Sequence, residues 1–210
     1  MSRERGTVAD ELAAEFPGLG LHCLTIGAGS GRTPPEVKQR LREMSNRIGG
    51  PKAVQLRQEA VPWAYRVFFR QIGIDPDERR TPAEQVVLDR LKHGGFRSRN
   101  LLDDAITIAT VETGVALVAF DAERVRAPLR MRPAAPGELM GASGRPLSNG
   151  QILIADSERP LAVLFADLDP EVGVTPATTR IVLAAVQVAG VADIAVEEAL
   201  WTVEELLTGA

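Results

Sequence analysis

The stretch RSRNLLDDAITIATVETGVALVAFD, residues 97–121, joins a helix pattern to a strand pattern with no linker between them. Asn100 is of the type that caps helices, and Asp103 stands three positions later, where a carboxylate can meet the free amides of a first turn. Gly114 falls where a C-terminal stop belongs, and ALVAF after it reads as a short buried strand. Adjacent residues on a helix diverge by about 100 degrees, so Asp103 and Asp104 face different ways. With Asp103 in the capping role, Asp104 joins Leu101 and Ile108 on the apolar stripe. A carboxylate there must be hydrogen-bonded or functional. Asp121 can cap the turn DAERV that follows the strand.

Upstream, VADELAAEF reads as a short helix and LGLHCLTI as a strand. Thr33-Pro34-Pro35-Glu36 has the form of a capping box and opens a helix ending at Gly49-Gly50-Pro51. A helical segment spans residues 52–72 with a break near Pro62, and Thr81-Pro82-Ala83-Glu84 opens a helix that stops at Gly94-Gly95. Downstream the texture changes. The short apolar runs LRMR, QILIA, LAVLFA and RIVLAAVQV alternate with turn material such as RPAAPGE and ASGRPLSNG. That spacing predicts antiparallel strands. A final amphipathic helix is expected over residues 191–207. The fold expected is therefore α+β, one domain over residues 1–210, with helices mainly in the N-terminal half and a mostly antiparallel sheet in the C-terminal half.

Composition bounds the function. The 210 residues are 45% apolar and 25% charged, with 4% aromatic, so aliphatic side chains fill the core. One cysteine, Cys23, excludes an internal disulfide and suits a reducing compartment. The start, MSRERGTVADE, has no apolar targeting core, and no run approaches 18 apolar residues. A cytoplasmic protein without a membrane span is expected. The net charge of −4 argues against a generally basic nucleic-acid binder. The charge is uneven, however: residues 133–210 hold 3 Lys and Arg against 11 Asp and Glu. Arg79, Arg80, Arg90, Lys92, Arg97 and Arg99 are offset locally only by Glu84 and Asp89. Such a cluster can meet phosphates or be a solvated helix face.

Common chemistries find little support. GAGSGR, residues 27–32, lies where a phosphate loop would sit, but Arg32 replaces the third glycine of a dinucleotide fingerprint and the Walker lysine is absent. It is expected to be a flexible connection. His22 and Cys23 are strand neighbours on opposite faces, and His93 suits the last turn of a helix, so no metal site and no cofactor are expected. Arg130 and Arg132 alternate with Leu129 and Met131 and read as a solvated strand face.

Taken together, the motif residues resemble the B3/B4 domain of the bacterial phenylalanyl-tRNA synthetase beta subunit. Arg97, Asn100, Asp104, Gly114, Leu117, Ala119, Phe120 and Asp121 stand at that domain's spacing. So do Arg132, Ala134, Gly137, Glu138, Ala155, Asp156, Pro160 and Ala162, with no gap over about a third of the chain. The resemblance implies an α+β domain with a motif core over residues 97–185. It also implies tRNA or aminoacyl-tRNA as partner, with no DNA and no membrane, and hydrolysis of a mischarged ester as activity. Substrate-binding positions would be Asn100, Asp104, Ile106, Val118, Asp121, Arg132, Glu138 and Ala184, with the Arg79-to-Arg99 cluster facing RNA. The chain departs where the family recognises a tyrosine hydroxyl: Ile106, Val118 and Ala184 replace a threonine, a histidine and a glutamate. Phe165-Ala166-Asp167 also replaces a glycine-rich bend. The expected function is a tRNA-binding editing protein acting in trans, with a non-catalytic binding module as the alternative.

Overall fold

The computed structural model describes residues 2–141 and 144–209. Its elements in chain order begin with β1 (Ser2–Val8), α1 (Asp10–Glu15) and β2 (Gly20–Ile26). Five helices follow: α2 (Pro35–Arg47), α3 (Gly50–Leu56), α4 (Ala60–Gln71), α5 (Pro82–His93) and α6 (Leu101–Thr113). Strands β3 (Ala116–Asp121), β4 (Arg130–Pro133), β5 (Leu139–Met140), β6 (Arg145–Pro146), β7 (Ile152–Ala155) and β8 (Pro160–Val163) come next. A 3-10 turn, β9 (Ile181–Gln187) and α7 (Asp193–Thr208) complete the chain. Ala142 and Ser143, at the head of the expected ASGRPLSNG turn, lie outside the described residues.

The fold is α+β, in two compact units. The first comprises Met1–Gly29 and Val118–Gln187, and the second Ser30–Leu117 and Val188–Ala210. The sheet has seven strands in the order β3-β9-β2-β1-β4-β7-β8. Its middle strands come from the first 26 residues, which corrects the expected placement in the C-terminal half. β1 runs parallel to β4, but the sheet is mostly antiparallel, as expected. β1 was not legible because SRERGTV has no apolar alternation; most of its side chains are exposed, and its ladders to β2 and β4 hold it in place. The β5-β6 hairpin is a separate two-stranded sheet, and Met140, Leu153 and Val163 share a buried cluster of the first unit.

The helical unit packs Val37, Leu41, Met44, Ile48, Val87 and Ile108 into one cluster. α6 forms as its sequence dictates. The Asn100 side chain accepts the Asp103 amide at 2.9 Å, and Gly114 ends the helix at φ 76. A Cβ on Gly114 would also meet Pro62 at 2.9 Å, so both conformation and space demand glycine.

Three local details refine or correct the sequence reading. The break in the 52–72 segment lies at residues 57–59, and Pro62 sits in the first turn of α4. A proline ring clashes with the carbonyl four residues before it, so Pro62 ends the helix upstream of itself. Thr33 does not cap α2, whose N-cap is Pro34 with no side-chain bond. After β8 the chain still bends where the family has glycines, using Phe165 at φ 56. A bulky side chain in that left-handed region costs about 1–2 kcal/mol.

Candidate functional site

Asp104 is 2% exposed at the start of α6 and accepts three hydrogen bonds. Its Oδ2 accepts the Thr33 and Ser98 hydroxyls, each at 2.6 Å, and its Oδ1 accepts the Arg99 amide at 3.0 Å. One carboxylate thus ties together two loops distant in sequence, Thr33 in the first lying 71 positions before Asp104. The GAGSGR loop is therefore not a free connection. The Gly31 and Ser30 carbonyls accept the Leu101 and Leu102 amides at 3.1 Å, and Asn100 accepts those of Asp103 and Asp104. The loop meets the helix start with carbonyls rather than amides, the reverse of a phosphate loop. All four first-turn amides of α6 are taken.

Beside this hub lies a cavity of about 270 Å³, with Arg90, His93, Arg97, Arg99, Asp103 and Thr107 among its lining residues. Arg90 donates to the Ser45 hydroxyl, and the His93 ring meets the Asp89 carbonyl at 2.8 Å, as its last-turn position suggested. Arg97 and Arg99 are exposed, and their guanidinium groups have no hydrogen bond or ion pair among the described residues.

The rest of the expected basic cluster is engaged elsewhere. Arg80 bonds the Pro76 carbonyl and Asp77, and Lys92 stands 4.0 Å from Asp89. Arg79 too has an intramolecular interaction. Arg66 is buried and pairs with Glu84 at 2.7 Å and with Asp77 at 2.8 Å. Glu84 also completes the expected capping box with Thr81, so this network pins α4 to the start of α5.

In the first unit, the motif carboxylates also tie loops. Asp121 accepts the Thr178 hydroxyl at 2.6 Å and the Glu123 amide at 3.0 Å, which fulfils its capping role. Burial pushes this carboxyl up, but the Thr178 hydroxyl, the Glu123 amide and Arg124 outweigh that and hold its pKa below the ordinary value. Gly29 passes so close that an added Cβ would lie 2.2 Å from the Thr178 carbonyl oxygen. Asp156 accepts the amides of Arg126, Glu158 and Arg159. Against the upward push of burial, these bonds and Arg159 lower its pKa.

Arg132 is not on a solvated face. Both of its terminal nitrogens bond Glu138, which also accepts the Ala135 amide; Arg132 Nε is buried without a partner among the described residues. Arg132 is the main cause of the lowered pKa of Glu138. Arg130 is exposed, as expected. A larger cavity of about 440 Å³ is lined by residues that pair among themselves, Arg126 with Glu158 and Arg159 with Glu171.

The motif spacing is thus the spacing of a set of loop ties. The sequence profile of the B3/4 domain matches residues 64–200, more than half of the chain. The chain belongs to the B3/4 domain family. It is 31% identical over 109 residues to the phenylalanine–tRNA ligase beta subunit of Pasteurella multocida (strain Pm70), covering 50% of this chain and 14% of that protein. The corresponding subunit of Psychrobacter arcticus is 34% identical over 119 residues, covering 55% and 15%. That of Cutibacterium acnes is 26% identical over 137 residues, covering 64% and 16%. The B3/4 protein therefore spans a small part of each relative's length.

The expected substrate positions fall in both units. Asn100, Asp104 and the half-buried Ile106 belong to the second, while Val118, Asp121, Arg132, Glu138 and the buried Ala184 belong to the first. Sequence reasoning missed Thr33, Ser98 and Thr178. Thr33 and Thr178 lie 71 and 57 positions from their carboxylates and leave no local signal, whereas Ser98 stands only six positions before Asp104 and was within reach of the motif. No helix among the described residues is long and apolar enough to cross a membrane.

Proposed function

We propose that this B3/4 protein binds tRNA and hydrolyses the ester of mischarged aminoacyl-tRNA in trans, from the cytoplasm and without a cofactor. The observation that carries the reading is the pair of unpartnered arginines, Arg97 and Arg99, at the cavity beside α6, in a chain whose relatives are tRNA ligase subunits. Free guanidinium groups are suited to phosphates, with which they form bidentate charge-assisted bonds.

Asp104, Asp121 and Glu138 are already occupied by internal donors, so none is free to act as general base. An ester to a ribose carbon needs less help than an amide. Positioning and oriented dipoles supply about 3 kcal/mol or more per oxyanion donor without a charged base. At positions 106, 118 and 184 no polar side chain rewards a substrate hydroxyl, so small or aliphatic aminoacyl groups are favoured over tyrosyl. The same occupied carboxylates favour a second reading, a tRNA-binding module without turnover.

Binding is tested with labelled tRNA at two salt concentrations. Arg97→Ala with Arg99→Ala should weaken affinity and reduce the salt slope by about one unit per lost phosphate contact. Unchanged affinity at both salts would return the two arginines to a solvated surface.

A further inference from the structure

We infer that Arg32 is a third phosphate-contacting arginine, set beside Arg97 and Arg99 by the Asp104 hub; this rests on the proposed tRNA binding. Arg32 lies outside residues 64–200, the segment that matches the family. Like Arg97 and Arg99, it is exposed and has no side-chain bond or ion pair among the described residues.

Its place is fixed on both sides. The Gly31 carbonyl is bonded to the Leu101 amide, and the Thr33 hydroxyl to Asp104 Oδ2. The second loop is fixed on the same carboxylate through Ser98 and the Arg99 amide. Two otherwise independent loops therefore present their arginines around one buried residue. Because every first-turn amide of α6 is occupied, an anion here must be held by side chains. Asp103 bonds Asn100 and Asp104 accepts from its three internal donors, so both carboxylates are engaged while the three guanidiniums have no partner among the described residues. Three long cations on anchored loops suit successive phosphodiesters of an RNA backbone better than one isolated anion, since each can neutralise a separate phosphate.

Thr33 acts as a positioning residue. Without its hydroxyl the Arg32 loop loses its tie to Asp104, and Arg32 loses its fixed place beside the other two.

The experiment measures labelled tRNA binding across a salt series for the parent protein, Arg32→Ala, Arg97→Ala, Arg99→Ala, Thr33→Val and Thr33→Ser. Arg32→Ala should lower the salt slope by about 0.7–0.9, as the other two arginine variants do. Thr33→Val should reproduce the Arg32→Ala slope, and Thr33→Ser should keep the parent slope. If Arg97→Ala and Arg99→Ala lower the slope while Arg32→Ala leaves it unchanged, the inference falls and tRNA binding stands. If the parent protein binds no tRNA at low salt, both fall. A parent slope for Thr33→Val overturns the positioning role.

Discussion

Replacing Asp104 separates a hydrogen-bonding hub from a mere buried charge. Asp104→Ala leaves two hydroxyls and one amide without their acceptor in a site that is 2% exposed. A hydrogen bond to a charged group contributes about 1.5–3 kcal/mol, and the three are not additive because Ser98 is exposed and can turn to water. We expect a loss of about 3–5 kcal/mol, a large share of a typical domain's stability. Asp104→Asn behaves differently. Its oxygen still accepts the Arg99 amide, while its NH₂ donates to both hydroxyls, which can accept as well as donate. All three contacts survive with two polarities reversed, and the expected cost is about 1 kcal/mol. The assay is urea unfolding followed by tryptophan fluorescence. Both tryptophans, Trp63 and Trp201, belong to the unit that contains Asp104, so the signal reports on that unit. Equal losses for Ala and Asn would refute the hydrogen-bond account in favour of a purely electrostatic one. A loss below about 1 kcal/mol for Ala would show that Asp104 ties nothing down.

Arg66→Met should cost about 3 kcal/mol by the same fluorescence assay, because Glu84 is left buried. Combining it with Glu84→Gln should cost at least about 1 kcal/mol less than the two single changes together, and strict additivity would dissolve the pair. Cys23 is pushed up to about 12, first by burial and then by the negative charge of Glu4. Its labelling at pH 8 should therefore be at least about 10³ slower in the folded protein than in urea, and comparable rates would place it at the surface. Asp156 has a lowered folded pKa, so its contribution is complete above the unfolded value of about 3.9 and is lost as pH falls through the lower folded value. Asp156→Asn should flatten the loss of first-unit stability below about pH 4, read from Cys23 accessibility with an acid-tolerant disulfide reagent. An unchanged acid profile would remove Asp156 from that account.

Helix α6 and strand β3 were legible at once because cap, stop and apolar pattern agree along a single stretch. The capping box of α5 was equally plain, since Thr81 and Glu84 satisfy each other locally. The similar pattern at Thr33 misled because Pro35, where the other segment has Ala83, holds Pro34 extended and moves the N-cap to it, while the Thr33 hydroxyl bonds the distant Asp104. β1 was hidden for a related reason: its partners are backbone groups of β2 and β4, and its side chains carry no record of them. At the candidate site the sequence marked Asp104, Arg97 and Arg99, whose neighbours lie close in the chain. It could not mark Arg32, whose flanking residues Gly31 and Thr33 meet the start of α6 only in the folded chain.

The most direct test is the release of labelled amino acid from valyl-, alanyl- and tyrosyl-tRNA incubated with the pure protein. The account predicts that the valyl or alanyl ester is cleaved faster than in buffer alone, and faster than the tyrosyl ester. Preferential cleavage of tyrosyl-tRNA would contradict the argument from Ile106, Val118 and Ala184, and no cleavage of any ester would contradict catalysis and leave a tRNA-binding module.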